Sequence, residues 1–483
     1  MRIRLAVLVA TVIGLVPFGA RSAELADRHR QAADLLEKAK AAGAEVTYAL
    51  DRARAYRVVA RAQHNTGDAA GAHATLVNAR ETIGKNADHD GTVLTQAYYE
   101  LADDQANLRD VAGAKATLME ASRAAGKSFS TRAAAFMYAK VAERRARIGD
   151  AAGAALDLAA AADVASGETG SSRDSALRYV AEGMASCGRF DAAEAVAAAI
   201  RTPLASSFDR SMAYEAIAVA RAAAGDVAGA RKVAALTNDP RDQARAESRM
   251  ARARLRAGDV AGAIAIADGI TDPTERDFAY NAIATVQAAA GDVAAAKATA
   301  AKIGWASERA EALAAVAVAQ ARAGDAPGAR ETAAAAREAA ADEDVSRDRA
   351  ELFARIGTAL GLASDAEGGK ACFAEARAAA DKLDAKLTYD ACVRSGLMAK
   401  IVSAQAEVGD LDAARATMEA MDGTGYDADK AGACRAIAAA EVRRGGMSTL
   451  VYWIAALPDP MCRADAYVGA AEAMVRPGRA ATP

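Results

Sequence analysis

The sequence is poor in the residues that most folds and most catalytic sites depend on. Aromatic residues make up 5% of its 483 positions, with two Trp, and there are nine Pro, four His and five Cys. So few aromatics and so few turn-forming prolines exclude a β-sandwich. Five cysteines over this length exclude a disulfide-stapled miniprotein, and an odd number leaves at least one unpaired in an oxidising compartment. Cys187, Cys372, Cys392, Cys434 and Cys462 include one pair, Cys434 and Cys462, placed for a possible bridge between successive units. His29, His64, His73 and His89 form no HExxH, and no cysteines have zinc-finger spacing. No GxSxG occurs, so neither a metal hydrolase nor a serine hydrolase has a starting point. Excess charge is also missing: 60 Lys and Arg against 63 Asp and Glu give a net charge of −3, which excludes a general nucleic-acid binder.

What the chain has is alanine, 142 residues of it. Ala with Arg, Glu and Leu favours helix nearly everywhere. The only long apolar run is Leu5–Val16, preceded by Arg2 and Arg4 and followed by Pro17 and Ala20-Arg21-Ser22. This is the pattern of a secretory signal cut after Ser22, too short for a membrane span, which needs about 20 residues. The mature chain is expected to be exported, to a periplasm or beyond, without a transmembrane segment.

A repeat organises the rest. GDVAGA stands at Gly225 and Gly258, GDVAAA at Gly291 and GDAPGA at Gly324, each 33 residues after the last. GDAAGA occurs at Gly67 and Gly149, and GDLDAA at Gly409. Weaker copies begin at Arg109, Gly188, Ser364 and Gly445. Eight residues before each turn lie Val59, Leu101, Val141, Val180, Ile217, Met250, Ile283, Val316, Ile356, Ile401 and Ile437, all large and apolar. The next position is Ala in nine units, Gly357 in one and Val402 in another. Eleven residues before the turn an aromatic recurs, as at Tyr56, Tyr98, Tyr138, Tyr214, Tyr280 and Phe353, and Ala recurs five residues after it. Positions three apart share one helix face, Gly ends that helix, and Asp caps the next. Each unit is therefore expected to be an antiparallel helix pair with one apolar side left for its neighbour.

These columns resemble the tetratricopeptide repeat family: an aromatic, a large-small pair three residues on, Gly-Asp, then Ala. The resemblance covers roughly residues 44–457, although several units exceed the family's length, five lack the aromatic and a closing Pro is mostly absent. It implies an all-α solenoid of about eleven antiparallel helix pairs, a right-handed superhelix whose first helices line a concave groove for a protein or peptide. It implies no catalytic residue and no cofactor. The expected organisation is a signal peptide at 1–22, an N-terminal capping helix at 23–43, the array at 44–457, a C-terminal capping helix at 458–475 and a disordered tail at 476–483.

Two basic stripes stand out, Arg54, Arg57 and Arg61 on one first helix and Arg245, Arg252 and Arg256 on another. The resemblance puts them in the groove, where they would suit an acidic partner; the plain alternative is solvated surface charge. A further Arg column lies fifteen residues before the turn, and a Gln or Arg column four before it, both expected to satisfy helix-end backbone groups. Asn86, Asp88 and Asp90, with Gly91 and Val93, match the start of a calcium loop, but Ala97 stands where a bidentate Glu belongs. Gly126-Lys127-Ser128 lacks the opening Gly and preceding strand of a phosphate loop. The leading expectation is an exported, non-enzymatic scaffold shaped as an elongated coil. The alternatives are a module of an envelope assembly complex, or a helical toroid acting on carbohydrate. That last would need carboxylates and stacking aromatics together, and neither Trp305 nor Trp453 adjoins an obvious carboxylate pair.

Overall fold

The computed structural model describes residues 18–475, apart from 87–88, 202–207, 238, 342–345, 385–386 and 422–426. Its described residues form α-helices joined by short turns, without a strand. The first helices of the units are α2 (Ala49–Asn65), α4 (Gly91–Asn107), α6 (Thr131–Arg147), α8 (Gly170–Ser186), α10 (Phe208–Ala223) and α12 (Pro240–Arg256). They continue as α14 (Pro273–Ala289), α16 (Ala306–Arg322), α18 (Ser346–Leu362), α20 (Thr388–Glu407) and α22 (Asp427–Arg443). Their second helices are α3 (Ala69–Gly84), α5 (Val111–Ala125), α7 (Ala151–Ser166), α9 (Phe190–Ala198), α11 (Val227–Ala234) and α13 (Val260–Ala267). The remainder are α15 (Val293–Ala300), α17 (Ala326–Ala339), α19 (Ala366–Ala380), α21 (Leu411–Glu419) and α23 (Met447–Ala456). The chain is thus the expected all-α solenoid of eleven antiparallel pairs, flanked by α1 (Phe18–Ala44) and α24 (Pro460–Val475).

The columns of the repeat are its core. All eleven large residues eight before the turn are at most 1% exposed, and the small residues after them are buried as well. At the turns, Gly67, Gly225 and their counterparts take positive φ. Arg109 and Ser364 take it too, at 63° and 62°, so the two weakest copies make the same turn without glycine. The following Asp accepts from a backbone N–H three residues on, as Asp226 does from Gly229 at 2.8 Å.

The two polar columns divide. Fifteen before the turn, Arg52 donates to Val46 O and Arg309 to Ile303 O, and Lys430 reaches Met421 O, so these cations close the end of the preceding segment as expected. The column four before the turn does something else. Gln63, Gln287 and Gln320 accept from Thr75, Thr299 and Thr332, eight residues after the turn, at 2.7–2.8 Å. Where Arg145 replaces Gln, Asp157 replaces Thr and lies 2.8 Å from it. This buried side-chain lock joins the two helices of a unit, and burial holds the Asp157 carboxyl up at about 6 despite Arg145.

The ends of the array meet. No second helix packs substantially on another second helix, whereas successive first helices pack side by side, so the first helices form the inner, concave layer. The series closes: α24 packs on α22 on one side and α2 on the other. Its antiparallel partner is α1, which also rests on α2 as every second helix rests on the next first helix. Asn65 donates to Glu472 across this seam at 3.2 Å, and Arg463 bonds Glu45. The structure is a ring of twelve pairs, the twelfth built from both ends of the array, and not the elongated coil expected. The physical reason is in the end helices. A terminal cap keeps one polar face, but α24 buries Met461, Cys462, Ala464, Asp465, Ala466, Val468 and Gly469 in near succession. The expected capping helices instead cover each other. Residues 1–17 of the expected signal and the tail at 476–483 lie outside the described residues.

Candidate functional site

The inner wall is the surface that twelve first helices share, and it is stitched by ion pairs between neighbours. Arg57 on α2 bonds Glu100 and Asp104 on α4, both at 2.5 Å, and Arg61 reaches Asp104 at 3.2 Å. Desolvation works against the Arg57 charge, but Asp104 and Glu100 outweigh it and hold the guanidinium above its ordinary range. Arg144 on α6 turns back to Asp103 at 3.0 Å, Arg178 on α8 meets Asp209 on α10 at 2.8 Å, and Arg245 on α12 meets Glu215 on α10 at 2.8 Å. Arg322 on α16 reaches over α18 to Glu407 on α20 at 2.6 Å, which only the concave side permits.

The two predicted stripes therefore have mixed fates. Both are on the wall, but Arg57 and Arg245 are absorbed into ion pairs with the chain's own acids. Arg54 is exposed and within Coulombic reach of Glu100 and Asp465, and Arg256 is exposed. Arg252 is half-buried, and its Nε has no hydrogen-bond partner. Its guanidinium lies 6.0 Å from the centre of the Phe278 ring.

The calcium-like loop is occupied by structure. Asn86 donates to Thr82 O at 2.8 Å, closing α3. Asp90 caps α4, taking Thr92 N–H on one oxygen at 2.9 Å and Phe129 N–H of the next unit on the other at 3.0 Å. Both oxygens are thus committed to backbone donors, and these bonds outweigh desolvation to keep the carboxyl below its usual range. Gly91 is required here because a Cβ would lie 2.2 Å from Ala124 O. The segment is a clasp between units; Asp88 lies outside the described residues. No group of three or more His, Cys, Asp or Glu suited to a metal ion exists among the described residues.

All five cysteines are free thiols. Cys434 lies 3.2 Å from Met418 sulfur, and its neighbourhood together with burial pushes the Cys462 thiol up. The possible Cys434–Cys462 bridge is not formed. An open groove of about 670 Å³ between α3 and α5 is lined by His73, Arg80, Tyr98, Glu120 and Arg123.

Two features were missed from the sequence. The first is an apolar rim. First helices run parallel, so their N-termini share one edge of the ring, and that edge carries Tyr48 (73% exposed), Phe129 (79%), Phe208 (65%), Trp305 (48%) and Tyr389 (71%). An aromatic about twenty residues before the turn was the available signal, at Tyr48, Phe129, Trp305 and Tyr389. The second corrects the reading of Trp305. It packs edge-on against Phe278, ring centres 5.6 Å apart. One turn further along α16, Glu308 and Glu311 both accept from the Asn281 amide, at 2.5 and 3.0 Å. A carboxylate pair does adjoin this tryptophan, legible in sequence as positions three and six beyond it.

No family model matches the chain, and no curated protein matches it. Solved structures similar to it include Ton1535 from Thermococcus onnurineus NA1, at 14% identity over 81% of this chain and 94% of that one, with a TM-score of 0.24. Another is the APC/C hetero-tetramer Cut9-Hcn1, at 13% identity over 86% and 89%, with a TM-score of 0.27. A third is a circular tandem repeat protein with novel repeat topology, at 12% identity over 94% and 97%, with a TM-score of 0.15.

Proposed function

We propose that the ring is a non-enzymatic scaffold that holds a protein partner on its aromatic rim, with an acidic segment of that partner entering against the inner wall. The observation that carries this reading is the concentration of exposed aromatics on one edge of a chain so poor in them. Exposed Tyr, Phe and Trp are the side chains that anchor protein interfaces, since each buries a large area at low cost in rotamer freedom. Arg54, exposed and without an ion pair among the described residues, and Arg61, whose side chain stays 43% exposed beside its single contact with Asp104 at 3.2 Å, are the cations placed to receive carboxylates there. Arg57 is excluded from that role by its own ion pairs.

The chain is further proposed to act after export, with cleavage after Ser22. Such a cut would trim the first turn of α1 and spare its packing, since the first buried residue described on that helix is Ala32. N-terminal sequencing of the protein from the envelope fraction tests it. Among the described residues no helix is long and apolar enough to cross a membrane.

Photo-crosslinking tests the scaffold reading. A benzophenone side chain placed at Phe129 or Phe208 should capture a partner, and one at Leu156, 72% exposed on the second helix α7, should not. Equal capture from all three positions would remove the rim from the argument. For the acidic segment, a fluorescent oligoglutamate should bind wild type at low salt and lose affinity with Arg54→Glu plus Arg61→Glu. Unchanged anisotropy in that variant would refute it.

A further inference from the structure

Between α12, α14 and α16 the wall holds opposite charges that stay apart. Arg252 forms no hydrogen bond or ion pair among the described residues, and its Nε is buried. Glu275 and Glu308 are within its Coulombic reach yet beyond ion-pair distance. Arg57, Arg144, Arg178 and Arg245 on the same wall close on their acids at 2.5–3.0 Å. Grouped around this separation are the Arg252 guanidinium, the two carboxylates, the Asn281 amide with Glu311, and Trp305, 48% exposed and packed on the same Phe278 ring that Arg252 approaches. Burial holds the Glu275 and Glu308 carboxyls above the usual range, with Glu311 and Asp348 adding to the pressure on Glu308.

We propose that this group of side chains is a subsite for a neutral polyhydroxylated ligand, a sugar ring of an oligosaccharide. The choice follows from exclusion by charge. A cationic ligand would face Arg252, and an anionic one would face Glu275, Glu308 and Glu311. A sugar hydroxyl donates to one group while accepting from another, so a ring of hydroxyls can bridge Arg252 to the carboxylates without adding charge. A pyranose also has an apolar face of C–H groups, which stacks on an exposed indole, and Trp305 is braced for this by Phe278. Asn281, 9% exposed, fixes Glu308 and Glu311 in place with a single amide, so the polar side of the subsite is pre-set. Trp305 is shared with the rim, but the polar groups of the subsite are separate from Phe129, Phe208, Arg54 and Arg61, so sugar binding stands or falls independently of a protein partner.

Trp305 and Trp453 are the only tryptophans, so indole emission reports on the site. With Trp453→Phe as background, titrate cellohexaose, maltohexaose and chitohexaose, and repeat each by calorimetry. At least one should give a saturable change in emission and heat, with an affinity in the millimolar range or tighter. Trp305→Ala and, separately, Arg252→Met should each weaken binding at least tenfold by calorimetry, with Tm and helicity unchanged. Phe129→Ala should leave it intact. Absence of saturable binding to all three sugars, or equal affinity in Trp305→Ala, overturns the proposal. Tighter binding of hexalysine or hexaglutamate at the same residues also overturns it, since the subsite would then select charge.

Discussion

Leu35 and Leu36 on α1 are 4% and 2% exposed. Adjacent helical residues point about 100° apart, so both can be buried only if α1 is covered from two directions, here by α24 and α2. Replacing both with Ala leaves two cavities at the seam. Each deletion costs about 2–5 kcal/mol when the surroundings relax little, and because the two sites are neighbours the sum is an upper bound. The loss falls on one contact. In a repeat array stability is shared between nearest neighbours, so the other pairs should keep their helicity while α1 undocks. The double variant should therefore show nearly unchanged circular dichroism at low temperature, a larger maximum dimension by small-angle scattering, and rapid amide exchange or proteolysis within 24–44. Wild type should scatter as a compact ring. If the variant melts earlier but scatters like wild type and keeps α1 protected, the helix is held by something other than closure, and the reasoning from the seam fails.

Ala251 is fully buried between first helices, so Ala251→Leu should overpack that contact and destabilise by about 1–3 kcal/mol in thermal melts; an unchanged melt would show the column is not a packing position. Arg109→Gly and Ser364→Gly should each stabilise by about 0.5–1 kcal/mol, because the turn needs positive φ; a lower denaturation midpoint would refute this. Gln320→Ala should cost about 1–3 kcal/mol by stranding the Thr332 hydroxyl, and adding Thr332→Val should recover much of it. Asp465, buried at the seam, has its carboxyl raised to about 6, with Arg435, Arg54 and Arg61 only partly offsetting burial. A carboxyl raised in the folded state favours folding at low pH. Its contribution is fully present below the unfolded value and lost as pH rises through about 6. Asp465→Asn should therefore flatten seam stability between pH 4 and 7 as read by exchange of α1 amides, and an unchanged pH profile would sink the assignment.

The columns made the pairs legible because burial acts on every copy alike: Val59 and Ile437 fill the same slot, and sequence displays the slot as a column. Even Arg109 and Ser364 were readable as turns, since the register around them outweighed the missing glycine. The Gln–Thr lock was half seen. Gln63 and Gln320 stood out, but Thr75 and Thr332 lie twelve residues further on, past a turn, and Thr is also a common helix-surface residue. Closure was harder, because a seam occurs once and leaves no column. Its trace was the lack of a polar face on α24, which periodic reasoning passes over. The arginine stripes show the same limit. Arg57 and Arg54 look alike in sequence, and only the position of Asp104 on the next helix decides that one is consumed and the other spare.

The twelfth pair also bears on how copies of this chain could meet. Its two halves are complementary and not identical: α24 of one copy can accept α1 of any other. When the seam opens, each chain presents an accepting face at one end and a donating helix at the other. That is a heterologous, head-to-tail contact, which propagates until it finds a geometry that closes. Within one molecule the tether makes closure fast and favours the ring. At high concentration, or after a lesion that slows closure, the same helix exchange would yield swapped dimers and larger rings made of unchanged units, and dilution with gentle warming would return them to monomers.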